Sequence, residues 1–288
     1  NLRTNFRATF NWGPGFWSDL LNRLTSPHEF PPMKSFLLLS SLLALCATSL
    51  AQAQSYSFSD KFTRQSAFKS TGEVTLENAN GEIEIVTWDK NEILIEGDKS
   101  AKTEDELKLI ELTIDLTDSR AAIKVRLPKR SGGFFSGGSS IRASVRFKLT
   151  VPATAALSKI STVNSSVVID GVRGLVNASS VNGSIRATKL GGPAQLETVN
   201  GSIRASFEAV AAQQALSFRT VNGQIVVALP NDAGVQLTTS TMNGRVNSDF
   251  PIEVSGKISG KNLSGKIGDG RTTMKATISV TTLRFRMG

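Results

Sequence analysis

Apolar and polar residues alternate with period two in one short segment after another. Val74 and Leu76 are flanked by Glu73, Thr75 and Glu77, and the same alternation recurs in Glu82–Val86, Glu92–Glu96, Leu112–Leu116, Ala122–Leu127 and Val145–Val151. This period predicts strands with one buried and one wet face, and hence an all-β protein. Asn80-Gly81 separates the first two segments and predicts a two-residue hairpin turn, since both residues tolerate φ > 0. Thr103 is placed to cap a short helical turn through Glu106 and Leu107. Residues 128–140 are rich in Gly and Ser and are predicted to be a flexible loop.

From Leu157 onward a second regularity overlies the first. Val-Asn-Gly followed by a polar residue and Ile recurs at Asn182-Gly183, Asn200-Gly201 and Asn222-Gly223, with Met-Asn-Gly at Asn243-Gly244. A degenerate copy precedes the series at Asn164 and another follows at Ser264-Gly265. The steps between equivalent positions are 18, 18, 22, 21 and 21 residues, the signature of an array with one structural unit per step. Two architectures fit. Near-identical corners favour a β-solenoid-like domain of the right-handed β-helix type, in which equivalent corners stack and their asparagines form an amide ladder. The alternative is an antiparallel β-sandwich or meander of hairpins.

Ahead of these segments, Met33-Lys34, the apolar run Phe36–Leu45 and Ala51-Gln52-Ala53 have the layout of a secretory signal peptide with a small-x-small cleavage site. The run is too short to span a bilayer, and Leu45 before Cys46 argues against lipidation of that cysteine. The predicted organisation is therefore 1–32 as disordered translation upstream of a start at Met33, 33–53 as signal peptide, 54–156 as an N-terminal β region, and 157–288 as the Asn-Gly repeat continuous with it.

Composition then narrows the chemistry. Export would remove His28 and Cys46, each the only residue of its type. Residues 54–288 therefore cannot form a Ser-His-Asp or Cys-His catalytic unit, a His-ligated zinc, a CxxC redox centre or a disulfide. Without the first 53 residues, Lys plus Arg falls from 33 to 29 and Asp plus Glu from 24 to 22, for a net charge of +7. Such a balance outside the cytoplasm favours anionic glycans or lipid head groups over nucleic acid.

Paired carboxylates would still permit glycoside cleavage, and Glu82/Glu84 and Glu104/Asp105/Glu106 are the acidic candidates. The first pair has the spacing of an outward strand face and the second the look of a solvated turn, so neither is assigned catalysis. Lys129, Arg130, Phe134 and Phe135 are a candidate surface contact, weighed against a loop whose rings fold back on the sheet. Asn-x-Ser triplets at Asn182 and Asn200 are assigned to turn chemistry, and Gly268-Asp269-Gly270 to a turn lacking the further ligands of a calcium loop. The predicted sites are thus structural corners: Asn80, Gly81, Asn164, Asn182, Gly183, Asn200, Gly201, Asn222, Gly223, Asn243, Gly244 and Gly265. No catalytic residue, cofactor or metal is expected.

Thr162-Val163-Asn164, Val181-Asn182-Gly183, Thr198-Val199-Asn200-Gly201, Thr220-Val221-Asn222-Gly223 and the ending Gly265-Lys266-Ile267-Gly268-Asp269-Gly270 resemble the bacterial putative adhesin family. The resemblance spans roughly residues 72–286. It implies an exported, periplasmic or surface-exposed all-β domain with no catalytic residues to transfer. The function so implied is a non-enzymatic cell-envelope protein that binds or scaffolds through a repetitive β surface, its partner an anionic glycan, a lipid head group or an envelope protein. A polysaccharide lyase or hydrolase on a β-helix is the enzymatic alternative. The repeat faces carry Ser, Thr and scattered Arg186, Arg204 and Arg245 rather than acidic pairs, which places that alternative behind. An accessory or sensor protein of envelope stress is the third.

Overall fold

The structure, a computed structural model, describes residues 58–127, 143–241, 246–254, 262–278 and 283–287. The expected leader (1–32), the signal peptide (33–53), Lys129, Arg130, Phe134 and Phe135, and Asn243, Gly244 and Arg245 lie outside these residues. Ser55–Gly288 form one compact unit.

The fold is all-β, with two large mixed sheets of ten and eleven strands that do not close. In chain order the N-terminal elements are β1 (Phe58–Ala67), β2 (Glu73–Glu77), β3 (Ile83–Trp88), β4 (Glu92–Ala101), α1 (Glu104–Lys108), β5 (Glu111–Leu116), β6 (Arg120–Arg126) and β7 (Ala143–Pro152). There follow β8 (Ala156–Thr162), β9 (Val167–Asp170), β10 (Val176–Ser180), β11 (Ile185–Leu190), β12 (Ala194–Asn200), β13 (Ile203–Phe207), β14 (Ala215–Asn222) and β15 (Ile225–Leu229). The chain ends in β16 (Val235–Thr241), β17 (Val246–Ser248), β18 (Glu253–Val254), β19 (Asn262–Ile267), β20 (Thr272–Ile278) and β21 (Leu283–Met287).

Strands alternate between the sheets, and neighbours within each central sheet are parallel. β8, β10, β12 and β14 are consecutive in one sheet, and β9, β11, β13 and β15 in the other. One strand from each sheet, joined through a corner, makes a rung. Because side chains alternate across a strand, each rung sends one set inward. Val176 and Ala178, Ile185 and Ala187, Leu196, Ile203 and Ala205 are buried in a cluster that both sheets share. The two layers of the sandwich alternative are thus present. Its antiparallel pairing is confined to the ends, where β5 lies on β6, β4 on β7, β1 on β4, β19 on β16 and β18 on β19.

Two sequence expectations are corrected by this pairing. β2 and β3 do not form a hairpin about Asn80-Gly81, because they belong to different sheets and each pairs with a strand of another rung. Stacking also departs from chain order at both ends. β6 and β7 pair in parallel with β2 and β3, on the side away from β8 and β9. At the other end β20 and β21 lie between the β14–β15 rung and β16–β17. The β14–β15 rung is therefore not followed in space by β16 and β17. Gly265 lies inside strand β19, antiparallel to β16, rather than at a corner.

The Gly268-Asp269-Gly270 tail is a turn, with φ of 58° and 69° at its two glycines. It carries the chain from β19 on one side of β16 to β20 on the other. A Cβ on Gly234 would meet Asp269 and one on Gly268 would meet the Ala233 carbonyl, so the loop lies directly across the start of β16. α1 forms where expected: the Thr103 hydroxyl accepts from the Glu106 amide at 3.2 Å, and three acids occupy its first turn, where the helix dipole favours negative charge.

Candidate functional site

The recurrent Thr/Ser-Val-Asn-Gly motif builds one edge of the stack, and each of its side chains has a separate part. The hydroxyl residue ends the inward strand and is buried: Ser180 is 5%, Thr198 3% and Thr220 1% exposed. Ser180 donates to the Ser165 carbonyl at 3.0 Å, Thr198 to that of Gly183 at 2.8 Å and Thr220 to that of Gly201 at 2.9 Å. Each hydroxyl therefore satisfies a corner carbonyl of the preceding rung, a group that burial would otherwise penalise.

The valine and asparagine that follow face outward, with Val163, Val181 and Val199 all about two-fifths exposed. The asparagines form a continuous ladder. Nδ2 of Asn164 donates to Oδ1 of Asn80 at 2.8 Å, Asn182 to Asn164 at 3.0 Å, Asn200 to Asn182 at 2.9 Å and Asn222 to Asn200 at 2.8 Å. Asn80 closes that end by donating to the Ala143 carbonyl at 3.0 Å. In-register parallel strands bring each amide to about 4.8 Å from the next, a spacing one amide-to-amide bond fills.

The glycines are present for a reason the sequence did not suggest. Among the described residues, Lys189 and Gln213 are the non-glycine positions with positive φ, and of the corner glycines Gly81 has one, at 112°. Gly183, Gly201 and Gly223 instead pack against the backbone of the preceding rung: an added Cβ would fall on the carbonyl oxygen of Ser165, Gly183 and Gly201 respectively. At the described Asn-Gly corners the paired positive φ of a two-residue hairpin turn is absent, and what the corner needs is room for two chains to approach.

The ladder gives a direct prediction. Asn200→Asp keeps an acceptor for Asn222 but sets a carboxylate oxygen against Oδ1 of Asn182. The variant is expected to lose about 1–2 kcal/mol of stability at pH 7, the cost of an unmade bond beside a charge. Protonation restores the missing donor, so the carboxyl pKa is raised in the folded state and the deficit shrinks as pH falls through it. Thermal unfolding of both proteins at pH 7 and pH 4 checks this, and an equal difference at the two pH values contradicts it.

The acidic candidates lie on α1 and at the start of β3. Glu104 is bonded to Lys108 at 2.7 Å on the exposed surface of α1. Glu82, just before β3, and Glu84 on it line a shallow trough of about 320 Å³ whose walls also carry Lys61, Glu96, Arg146 and Lys148. Opposite charges alternate across it: Lys148 lies between Glu84 and Glu96 in register, and Arg146 bonds Asp98 at 2.9 Å. On the other sheet Glu77 is held below the usual carboxylate range, first by its hydrogen bond from Lys159 and then by the charges of Lys159 and Lys124. These groups are substantially exposed, so the pairs contribute little. Among the described residues no three His, Cys, Asp or Glu side chains gather in a metal-binding group, and no helix is long and apolar enough to cross a membrane.

Sequence reasoning treated Arg186 and Arg204 as scattered. Register places them directly opposite each other on β11 and β13. The signal was their common position relative to the corner, four residues after Asn182 and Asn200.

No family model and no curated protein matches the sequence. Among solved structures, a putative cell adhesion protein from Clostridium sporogenes is similar over 80% of this chain and 100% of its own, with 14% identity and a TM-score of 0.48. A putative adhesin from Bacteroides fragilis covers 78% of this chain and 97% of its own at 10% identity and a TM-score of 0.35. A putative lipid binding protein from Parabacteroides distasonis covers 78% and 96% at 12% identity and a TM-score of 0.29.

Proposed function

We propose that this chain is the non-enzymatic body of an exported cell-envelope or surface protein of the adhesin type, which binds or scaffolds through the repetitive outer faces of a β-solenoid. The alternation of strands between two sheets, with parallel neighbours in each, supports the solenoid reading. Crossover connections between parallel strands are overwhelmingly right-handed, so the coil is assigned that hand. In this reading 33–53 is the signal peptide, 54–156 supplies the N-terminal rungs and cap, and 157–288 the repeat.

The asparagine ladder carries the functional conclusion. A motif repeated along a chain invites a chemical role, yet here the amides bond one another, the hydroxyls of Ser180, Thr198 and Thr220 bond corner carbonyls, and the glycines make room for the next rung. The recurrent residues are accounted for by assembly, which leaves the outward strand positions for partners. A lyase or hydrolase is disfavoured because Glu82 and Glu84 are interleaved with Arg146 and Lys148 along a sheet face.

The test is binding of the purified exported chain to a panel of anionic and neutral glycans and of anionic lipid vesicles. Saturable binding to at least one class is expected. Failure across the whole panel would remove adhesion from the proposal.

A further inference from the structure

The outward surface of the sheet containing β3, β7, β9, β11, β13 and β15 changes character along the stack. Towards β4 the row runs Glu96, Lys148, Glu84, each opposite the next in register. The adjacent row sets Arg146 against Asp98 with an ion pair at 2.9 Å. This is the arrangement a free sheet surface favours, because opposite charges on facing strands attract and like charges repel.

Past β9 the same row continues as Val168, Arg186, Arg204, Val226 and Arg284. Arg186 and Arg204 are exposed and directly opposite each other, at a strand separation of about 4.8 Å. The acids nearby are already engaged. Asp170 accepts from Thr188 at 2.7 Å and pairs with Lys189 at 3.3 Å, Glu208 pairs with Arg173 at 3.7 Å, and Asp249 lies 4.0 Å from Arg284. Neither Arg186 nor Arg204 has a carboxylate partner among the described residues. The chain thus sets two like charges in register, an arrangement that is destabilising, on a face whose other half alternates opposite charges. An anion supplied from outside resolves that conflict.

We propose that this half of the sheet is a binding track for a linear polyanionic glycan, with Arg186 and Arg204 as its central contacts and Arg284 and Arg286 continuing it. The proposal rests on the binding role proposed above. From β11 to β21 the track spans three strand spacings, on the order of 14 Å, and it runs along the stack rather than into a pocket. That suits a polymer with carboxylates or sulfates at intervals. The planar guanidinium fork pairs such groups bidentately. Each arginine is flanked two residues away on either side by short hydroxyl side chains, Ser184 just before β11 and Thr188 on it, Ser202 just before β13 and Ser206 on it, which leave the guanidinium groups standing above the sheet. A membrane surface is disfavoured because interfacial binding also needs apolar side chains to bury. Of the exposed large apolar residues among those described, Met287 at the end of β21 lies on a strand of the track, whereas Val163, Val181 and Val199 lie at the corner edge.

The experiment measures binding of the full exported chain to polygalacturonate, with neutral dextran and phosphatidylglycerol vesicles as the other arms. Two double variants are compared: Arg186→Ser with Arg204→Ser, and, as a charge-matched control on the opposite sheet, Arg219→Ser with Lys275→Ser. Expected are polygalacturonate affinity that falls with added salt, loss of about tenfold or more in the first variant as two charge-assisted contacts vanish, and little change in the control. The first variant should melt no lower than the parent, since it removes a like-charge pair, so a loss of binding is not a loss of fold. Equal loss in both variants, no loss in the first, or binding to vesicles without polygalacturonate each overturns the track. If another glycan or lipid binds and polygalacturonate does not, this inference fails while the wider binding role stands.

Discussion

Gly201→Ala is expected to destabilise the protein by about 3 kcal/mol or more, near the top of what overpacking costs. Gly201 lies between two rungs: its own Cβ would collide with the Gly183 carbonyl, and the Gly201 carbonyl in turn occupies the space where a Cβ of Gly223 would sit. The obstacle is backbone, which cannot rotate away as a side chain can. To admit one methyl group the corner must open, and opening it stretches the Asn182–Asn200 amide bond and the Thr198 hydroxyl bond to Gly183 together. Gly191→Ala is the contrast, because its Cβ would meet Cγ of Arg173 at 3.0 Å and no backbone atom nearer than 3.5 Å, and it should cost less, about 1 kcal/mol. Urea denaturation midpoints of the two variants and the parent decide the matter. Equal, small effects would mean that the corner has slack and that the glycines are there for conformational freedom after all.

Phe218→Ala is expected to cost about 3–5 kcal/mol, the usual range for emptying a buried phenylalanine site. Phe218 is 1% exposed on β14, paired to Leu196 on one side and Ala276 on the other. Its ring meets that of Phe207 on the opposite sheet edge-on, with centroids 6.3 Å apart. Its in-register neighbours Leu196 and Ala276 are themselves fully buried, and a close-packed interior relaxes only partly into a void. Because rungs contact chiefly their neighbours, the damage should centre on the junction between β12–β13 and the C-terminal rungs. Hydrogen exchange that accelerates first in β14, β15, β20 and β21 checks this. Uniform acceleration along the whole stack would show that the array melts as one unit.

Much of the local structure was legible beforehand. Six alternating segments between residues 73 and 151 fall on β2 through β7, since a strand with one buried face must alternate. Thr103 caps α1 as its side chain predicts. The asparagine ladder from Asn164 to Asn222 could be anticipated from corners recurring every 18 to 22 residues, whereas its first member, Asn80, could not. The hairpin at Asn80-Gly81 was misread because Asn-Gly serves equally well where φ is positive and where a neighbouring chain comes close.

The sequence alone determined which residues face inward, where the chain turns, and that the turns are alike, because these depend on period and on the chemistry of three or four adjacent residues. It did not determine which rung lies beside which. The rungs share one period and nearly one pattern, so the pattern cannot name its neighbour, and only the tertiary structure shows β6–β7 placed before β2–β3 and β20–β21 slipped in ahead of β16–β17. Register is likewise a property of the assembled sheet. It is register that turns two scattered arginines, 186 and 204, into adjacent charges on one face.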